Sequence, residues 1–514
     1  MNRRQFLQGS LTLAGLSLVG CPTRRPPTPE GAVVGASWQR GHRLREASEL
    51  MTGQCLRTDV AILGGGVAGL SAAWRLRRAG LEDFLLLELE SDLGGNSRAA
   101  TYPASRAPWG AHYLPVPTPD SRAVIELLKE LEVMDEAGRC REELLCHEPQ
   151  ERLYLHGHWQ EGLFPTLGAT RRDLQELQEF QAEIERLRLL RDRRGRLAFA
   201  LPAPLSSPDW LELDGLSMQA FVEQKGWTSR RLRWWLEYGC RDDFGCSLEQ
   251  TSAWAGLHYH AARPPEDQLL VWPEGNAWLT DRLAAPLQER ARTGCLVRSV
   301  KADGPHLITR VEHPEGAFEV QSRRAIFCLP TFLRSFVLDG APPERFTYAP
   351  WAVANLVLRR GDEGACWDNV LYESPSLGYV VATHQSLSTR PGPTVWTWYR
   401  PLTGDPVKER EEMLVRPWES WRQEIVSELS RPHPDLVERL ECLDVMLLGH
   451  AMVRPVPGLR GSGALDAASQ PNKGVHFAHS DLSGFSLFEE ANYHGVRAAE
   501  EVLAALDLRS PSLL

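Results

Sequence analysis

Residues 58–95 read TDVAILGGGVAGLSAAWRLRRAGLEDFLLLELESDLGG. The apolar run Val60 to Leu63 has the length of a buried strand. It leads into Gly64, Gly66 and Gly69, spaced GxGxxG, and then into an alanine- and leucine-rich helical pattern that reaches about Ala79. A second apolar run, Phe84 to Leu87, ends at Glu88. Each part has a physical duty in holding a dinucleotide. Gly64 permits a tight turn, Gly66 lets a diphosphate approach the backbone, and Gly69 lets helix and strand pack closely. The helix start, with Val67 and Ala68 in its first turn, offers free N–H groups to the phosphates. Glu88 follows Gly69 by 19 residues, where an acid accepts hydrogen bonds from ribose hydroxyls. A lone GxGxxG says little, but one set between a strand and a helix with its acid in place predicts a nucleotide-binding βαβ unit.

Beyond Glu88 come Gly94 and Gly95. This spacing resembles the E-x5-GGR motif of FAD enzymes of the amine oxidase and phytoene desaturase superfamily. Further stretches carry the same resemblance. APWGAHYLP (107–115) is similar to the segment that lies against the flavin ring, which implies roles for Gly110, Ala111, His112 and Tyr113. CLVRSVKAD (295–303) and RAIFCLPTF (324–332) resemble returning strands of the FAD domain, and Val297 matches the residue whose backbone holds the adenine. GVHFAHSDLSGFSLFEEANYHGVRAAEEVL (474–503) matches the closing strand, acid and helix. There Asp481 is the acid for the ribityl or phosphate part, and Phe488 and Ala491 open a helix aimed at the flavin.

The resemblance implies an α/β chain with a discontinuous Rossmann-like FAD domain, interleaved with a substrate domain of mixed sheet and helices. The FAD segments are expected at 56–113, 268–335 and 445–507, and the substrate domain at 114–267 and 336–444. The sequence also departs from the family. Asn96 stands where the GGR arginine would, leaving Arg98 as a candidate for the diphosphate. The lysine that many amine oxidases keep near flavin N5 is replaced in YAPWAVANLVLRR (348–360) by Ala354 and Asn355, which leaves room for a dehydrogenase. Glu490 replaces a small residue of the last helix; it is expected to face solvent, and an inward carboxylate would alter the flavin. His479 lies near the flavin turn, but no attachment motif is present, so FAD is expected to be non-covalent.

Substrate candidates are fewer. Trp396 and Trp398 of TVWTWYRPL (394–402) share one strand face, with Val395, Thr397 and Tyr399 on the other. The two tryptophans could cage a substrate, although sheet core is the preferred reading. RWWLEYGCRDDFG (233–245) suggests a helix ending at Gly239, followed by Asp242 and Asp243. These acids could bind a cation, with pairing to Arg241 or a neighbouring base preferred. His258 and His260 have no third ligand in view, and no metal site is expected.

The leader MNRRQFLQGSLTLAGLSLVGC (1–21) has a charged start, an apolar run from Leu11 to Val19 too short to span a bilayer, and a cysteine. NRRQFL resembles a twin-arginine export signal, and LVGC resembles a lipoprotein box that would lipidate Cys21. Residues 1–20 are then a signal peptide and 21–55 a lipidated, proline-rich spacer. The expected location is the cell envelope, on the periplasmic side, with the export machinery as partner and the lipid as the sole membrane contact. The chain of 514 residues carries a net charge of −10, which disfavours nucleic acid as a partner. Together these features predict an exported oxidoreductase for a small molecule, an amine or amino acid before an isoprenoid or lipid. A flavin-dependent isomerase or a non-catalytic flavoprotein is the remaining class.

Overall fold

A computed structural model describes residues 29–46, 51–263, 268–342, 346–362, 364–386 and 392–514. The signal peptide and Cys21 lie outside the described residues.

The fingerprint strand, Gln54–Leu63, sits near the middle of a seven-stranded sheet. Phe84–Leu87 runs parallel on one side and Phe318–Phe327 parallel on the other. Phe318–Phe327 divides its far edge. Its first half pairs antiparallel with His306–Glu312 and its second half parallel with Val475–Phe477. Val60 to Leu63 are all fully buried, because this part of the sheet is covered on both faces. Val60 and Ile62 join the core beneath the helix Val67–Arg78, while Ala61 and Leu63 join the core on the opposite face. The C-terminal helix Phe488–Ala505 packs on Val67–Arg78 so closely that a Cβ on Gly495 would lie 2.3 Å from the Ala68 carbonyl oxygen.

The second sheet has eight strands. Its third strand, Tyr348–Leu358, is buried at every residue, with Leu440–Val453 and Thr394–Pro401 antiparallel on either side. One face packs on the helices Pro406–Val415 and Trp418–Leu429; the other looks toward Trp109 and Tyr238. A helical layer, Arg171–Arg188 to Ala253–Ala261, has its own core around Phe180, Phe244 and Trp254.

Three segment boundaries shift. Leu440–Val453 belongs wholly to the eight-stranded sheet, so the boundary at 445 falls inside a strand. The helix Arg122–Glu130 buries Val124, Leu127 and Leu128 in the nucleotide-domain core, although 114–267 is expected to be substrate domain. Residues 29–46 are folded rather than a free spacer. Val33–Val34 extends the eight-stranded sheet beside Val445 and Met446, and Trp38–His42 with Arg43–Arg45 forms two short helical turns. The helix around RWWLEYGCRDDFG also runs past Gly239 to Phe244, and Gly245 caps it at φ +60°. Gly239 is there for closeness, since a Cβ would stand 3.0 Å from the Tyr259 ring.

Candidate functional site

The glycines of the fingerprint make an open cradle. Gly64 turns the chain at φ +106°, a region where a side chain is strained. A Cβ on Gly69 would lie 1.9 Å from the Gly64 carbonyl oxygen, so the helix could not start against the strand. Gly66 and Gly95 face each other, and a Cβ on Gly95 would come within 3.0 Å of the Gly66 Cα. The Gly94 amide donates to the Gly65 carbonyl at 2.8 Å, joining the two glycine motifs. Glu88 closes the end of this turn. Its Oε2 accepts from the Gly65 amide at 2.6 Å and its Oε1 from the Glu90 amide at 2.9 Å. Burial raises its carboxyl pKa against the opposing effect of those amides.

Gly64, Gly66, Glu88, Gly94 and Gly95 line one cavity of about 600 Å³ together with Val67, Ala68, Ala111, Asp481, Phe488 and Ala491. Asp481 is buried. Its Oδ2 accepts from the Thr331 amide at 3.0 Å and the Tyr348 hydroxyl at 2.9 Å, and its Oδ1 lies 3.0 Å from His479 Nδ1. Burial alone would raise its pKa, but His479 and the two donors outweigh burial and bring it to about 2. Asp481 is therefore a fixed negative charge in the wall.

The other expected cofactor residues divide between this cavity and places outside it. Asn96 and Arg98 line the cavity, but both are engaged. Asn96 Nδ2 donates to the Ala451 carbonyl at 2.9 Å, and Arg98 pairs with Glu90 at 3.3 Å. Val297 is buried in the ladder opposite Val311 and does not line the cavity. Gly110 is a packing position, since a Cβ would lie 2.2 Å from the Asn96 carbonyl oxygen. His112 and Tyr113 line a different pocket. Glu490 is fully buried, not solvent-facing; its Oε1 accepts from the Ala203 amide at 2.7 Å, and it does not line the cavity. Asn355 stands on the sheet face toward residues 107–110. It donates to the Pro108 carbonyl at 3.3 Å and accepts from Thr397 at 2.8 Å.

The pocket of His112 and Tyr113 holds about 340 Å³. Its rings are His112, Tyr113, Tyr238, Tyr259 and Trp367, with Tyr399 behind His112. The His112 ring lies 4.7 Å from Tyr399, 5.5 Å from Trp367 and 5.0 Å from Tyr113 between centroids, and burial lowers its pKa to about 4, so it is neutral. The same lining carries Glu148, Glu151, Glu161, Asp242 and Asp368. Burial, then the nearby Asp243, raises the pKa of Asp242 to about 7. Burial, Asp242 and Glu151 raise that of Asp368 well above the usual range, and the Tyr238 hydroxyl donates to it at 3.3 Å. The pocket's one arginine among the described residues, Arg263, is held bidentate by Asp243 at 2.9 and 3.0 Å. That pairing leaves the acids in excess.

Of the substrate candidates, Asp242 lines this pocket, whereas Asp243 supports Arg263 behind it. Arg241, the expected partner of the two acids, instead donates to the Ser374 and Ser376 carbonyls. Trp396 and Trp398 are fully buried on the far face of the sheet; Trp396 stacks on Tyr379 and Trp398 donates to Glu428 at 3.2 Å. The near face belongs to Tyr399, whose hydroxyl donates to the Gly110 carbonyl at 3.0 Å. Alternation from Trp398 could have found Tyr399 in sequence. Asp368 and Trp367 carry no local signal.

Comparison with known proteins gives the fold a context. The NAD(P)-binding Rossmann-like domain family matches residues 62–131. A Baeyer-Villiger monooxygenase of Streptomyces coelicolor is 50% identical over 44 residues, 9% of this chain and 8% of that protein. The solved structure of putrescine oxidase bound to putrescine matches with a TM-score of 0.66 at 17% identity, over 88% of this chain and all of that one. Cyclohexylamine oxidase from Brevibacterium oxydans matches at 0.64 and 15%, over 88% and 99% of the two chains. A fatty acid isomerase from P. acnes matches at 0.61 and 14%, over 87% and 98%. The chain has a mixed α/β fold with a Rossmann-like nucleotide-binding domain. Its overall architecture is that of these three proteins.

Proposed function

We propose that the chain is an FAD-dependent oxidoreductase whose substrate is a small cationic amine. The fit to FAD rests on the cradle of Gly66 and Gly95, which side chains would fill, with Glu88 and Asp481 as fixed acceptors in one continuous cavity. The expected attachment is non-covalent. Bound FAD would accept hydride at N5 from a substrate C–H and pass the electrons to oxygen or another acceptor.

The observation that carries the substrate reading is the set of five acidic side chains among aromatic rings in the second pocket, against one arginine that Asp243 already neutralises. Ammonium is held by carboxylates and by aromatic faces. Asp242, with a pKa near 7, can take the proton an ammonium must lose before its α-carbon gives up hydride. Ala111 lines the cofactor cavity and His112 the pocket, so one short segment borders both. The solved relatives include two oxidases named for amines, which agrees with this reading. The fatty acid isomerase shares the fold, so the pocket decides, and five acids suit a lipid chain poorly. Asn355, committed to Pro108 and Thr397 where a lysine would serve oxygen or water chemistry, favours a dehydrogenase.

The test is anaerobic mixing of the purified yellow protein with polyamines, alkyl and aryl amines, amino acids and isoprenoid lipids. Amines should bleach the flavin absorbance, with slow recovery in air. Bleaching by lipids alone would overturn the assignment, and bleaching by none would favour an isomerase or binding protein. We further propose export by the twin-arginine route and lipidation at Cys21, which would place the enzyme in the envelope facing the periplasm. Arg3→Lys with Arg4→Lys should leave the protein in the cytoplasm, and Cys21→Ser should release it from membranes. Normal export of the double variant would refute this route.

A further inference from the structure

Residues 29–46 form a strap that crosses from one sheet to the other. Its first part is fixed to the eight-stranded sheet. The Leu443 amide donates to the Glu30 carbonyl at 2.8 Å and the Val445 amide to the Ala32 carbonyl at 2.9 Å. At Gly31 a Cβ would lie 1.9 Å from the Leu443 carbonyl oxygen, so the backbones touch. The second part is fixed to the nucleotide domain beside Glu88. The Ser37 amide and hydroxyl donate to Glu90 at 2.7 and 3.0 Å. Arg40 donates to the Leu89 and Gly294 carbonyls at 3.3 and 2.7 Å, and Arg43 pairs with Glu312 at 2.7 Å. Arg298 returns a bond to the Glu46 carbonyl at 2.7 Å.

Between these attachments Trp38, His42 and Arg45 line the cofactor cavity. Arg410 and His450 line it too, and His450 stacks on Phe332 at 4.1 Å. Burial, then the charges of Arg410, His42 and Arg45, lowers the pKa of His450 to about 4. Among the described residues neither Arg45 nor Arg410 has a hydrogen-bond or ion-pair partner. The neighbouring arginines Arg98, Arg40 and Arg43 are committed, to Glu90, to carbonyls and to Glu312.

We propose that the strap is a structural wall of the cofactor site, and that Arg45 on it and Arg410 facing the same cavity balance the charge of the cofactor diphosphate. Asn96 and Arg98, which follow the second glycine pair on the cavity wall, leave that duty open, because Asn96 spends its amide on Ala451 and Arg98 its charge on Glu90. Unpaired guanidinium groups on a cavity wall suit a diphosphate, to which they make charge-assisted hydrogen bonds. Burial first, and then the neighbouring arginines, lower the pKa of both His42 and His450, so the two rings can add donors with less repulsion than cations would bring. This inference rests on the FAD reading above.

The test compares FAD with riboflavin, which lacks the diphosphate, by flavin fluorescence titration of the mature protein after cofactor removal. Arg45→Gln with Arg410→Gln should weaken FAD about tenfold or more and leave riboflavin within about twofold. Ser37→Ala with Arg40→Ala should speed FAD release about fivefold by loosening the strap. Melting of the cofactor-free Gln variant serves as the folding control; it should not fall, since the two arginines have no partner to lose. Equal losses for FAD and riboflavin, or parent-like binding and release of FAD in both variants, would overturn the proposal. A parent protein that takes up no FAD would overturn the cofactor reading and this one with it.

Discussion

Adjacent aspartates, Asp242 and Asp243, end the same helix and do different work. Asp243 neutralises Arg263, so Asp243→Asn should destabilise the protein by about 3–5 kcal/mol, because it strands a buried guanidinium. Asp242 has no such arginine and keeps its charge available to the pocket, with a pKa of about 7. As pH falls through about 7 the carboxylate gains a proton and its attraction for ammonium is lost. The KM for an amine should therefore rise on the acid side, while a bound cation pulls the pKa down and blunts the rise. Asp242→Asn should raise KM about tenfold at pH 8 and flatten this limb, at little cost in stability. Steady-state kinetics from pH 5.5 to 8.5 give the answer. An Asn variant with the parent's acid limb would assign that limb to another group.

At the scale of elements, one strand shows how far sequence reaches. The alternation in 394–402 defines two faces, but it does not say which face meets the cofactor domain. That choice is made by the helices Pro406–Val415 and Trp418–Leu429, which cover Trp396 and Trp398. Trp398→Ala should cost about 3–5 kcal/mol in urea unfolding and leave amine KM unchanged. Tyr399→Phe, which loses the bond to Gly110, should cost about 1 kcal/mol and shift KM. A KM change in Trp398→Ala without loss of stability would reverse the assignment of faces. The fingerprint was legible because its glycines are dictated by contacts within some 30 residues, Gly69 on Gly64 and Gly95 on Gly66. The acidic pocket was not, because it gathers Glu148, Asp242 and Asp368 from three distant segments that share no spacing rule. The strap has the composition of a spacer, and its strand is not legible there, because strand addition by Val33–Val34 depends on a sheet edge formed elsewhere in the chain.

Across the whole molecule, burial displaces two sets of titrating groups in ways that oppose each other. His112 and His450 have pKa values lowered to about 4, and His258 and His260 to about 3. These histidines fold neutral; their contribution is complete above the ordinary 6.5 and is lost as pH falls below it. Asp242, Glu489 and Glu490 are raised to about 7 by burial. A raised carboxyl pKa stabilises fully below the ordinary value near 4 and loses that contribution as pH rises through about 7. Between about pH 4.5 and 6.5 the unfolded chain takes up protons at its histidines while the folded one keeps protons on its carboxyls, and the two slopes offset. Above 6.5 only the carboxyl effect remains. The melting temperature should therefore be nearly level from pH 5 to 6.5 and fall between 6.5 and 8. Glu489→Gln with Glu490→Gln should reduce that fall, because the amides carry no proton to lose. Calorimetry of the same holoprotein preparation across this range tests the balance, and a melting temperature that climbs steadily to pH 8 would show that the buried carboxyls are not protonated in the folded chain.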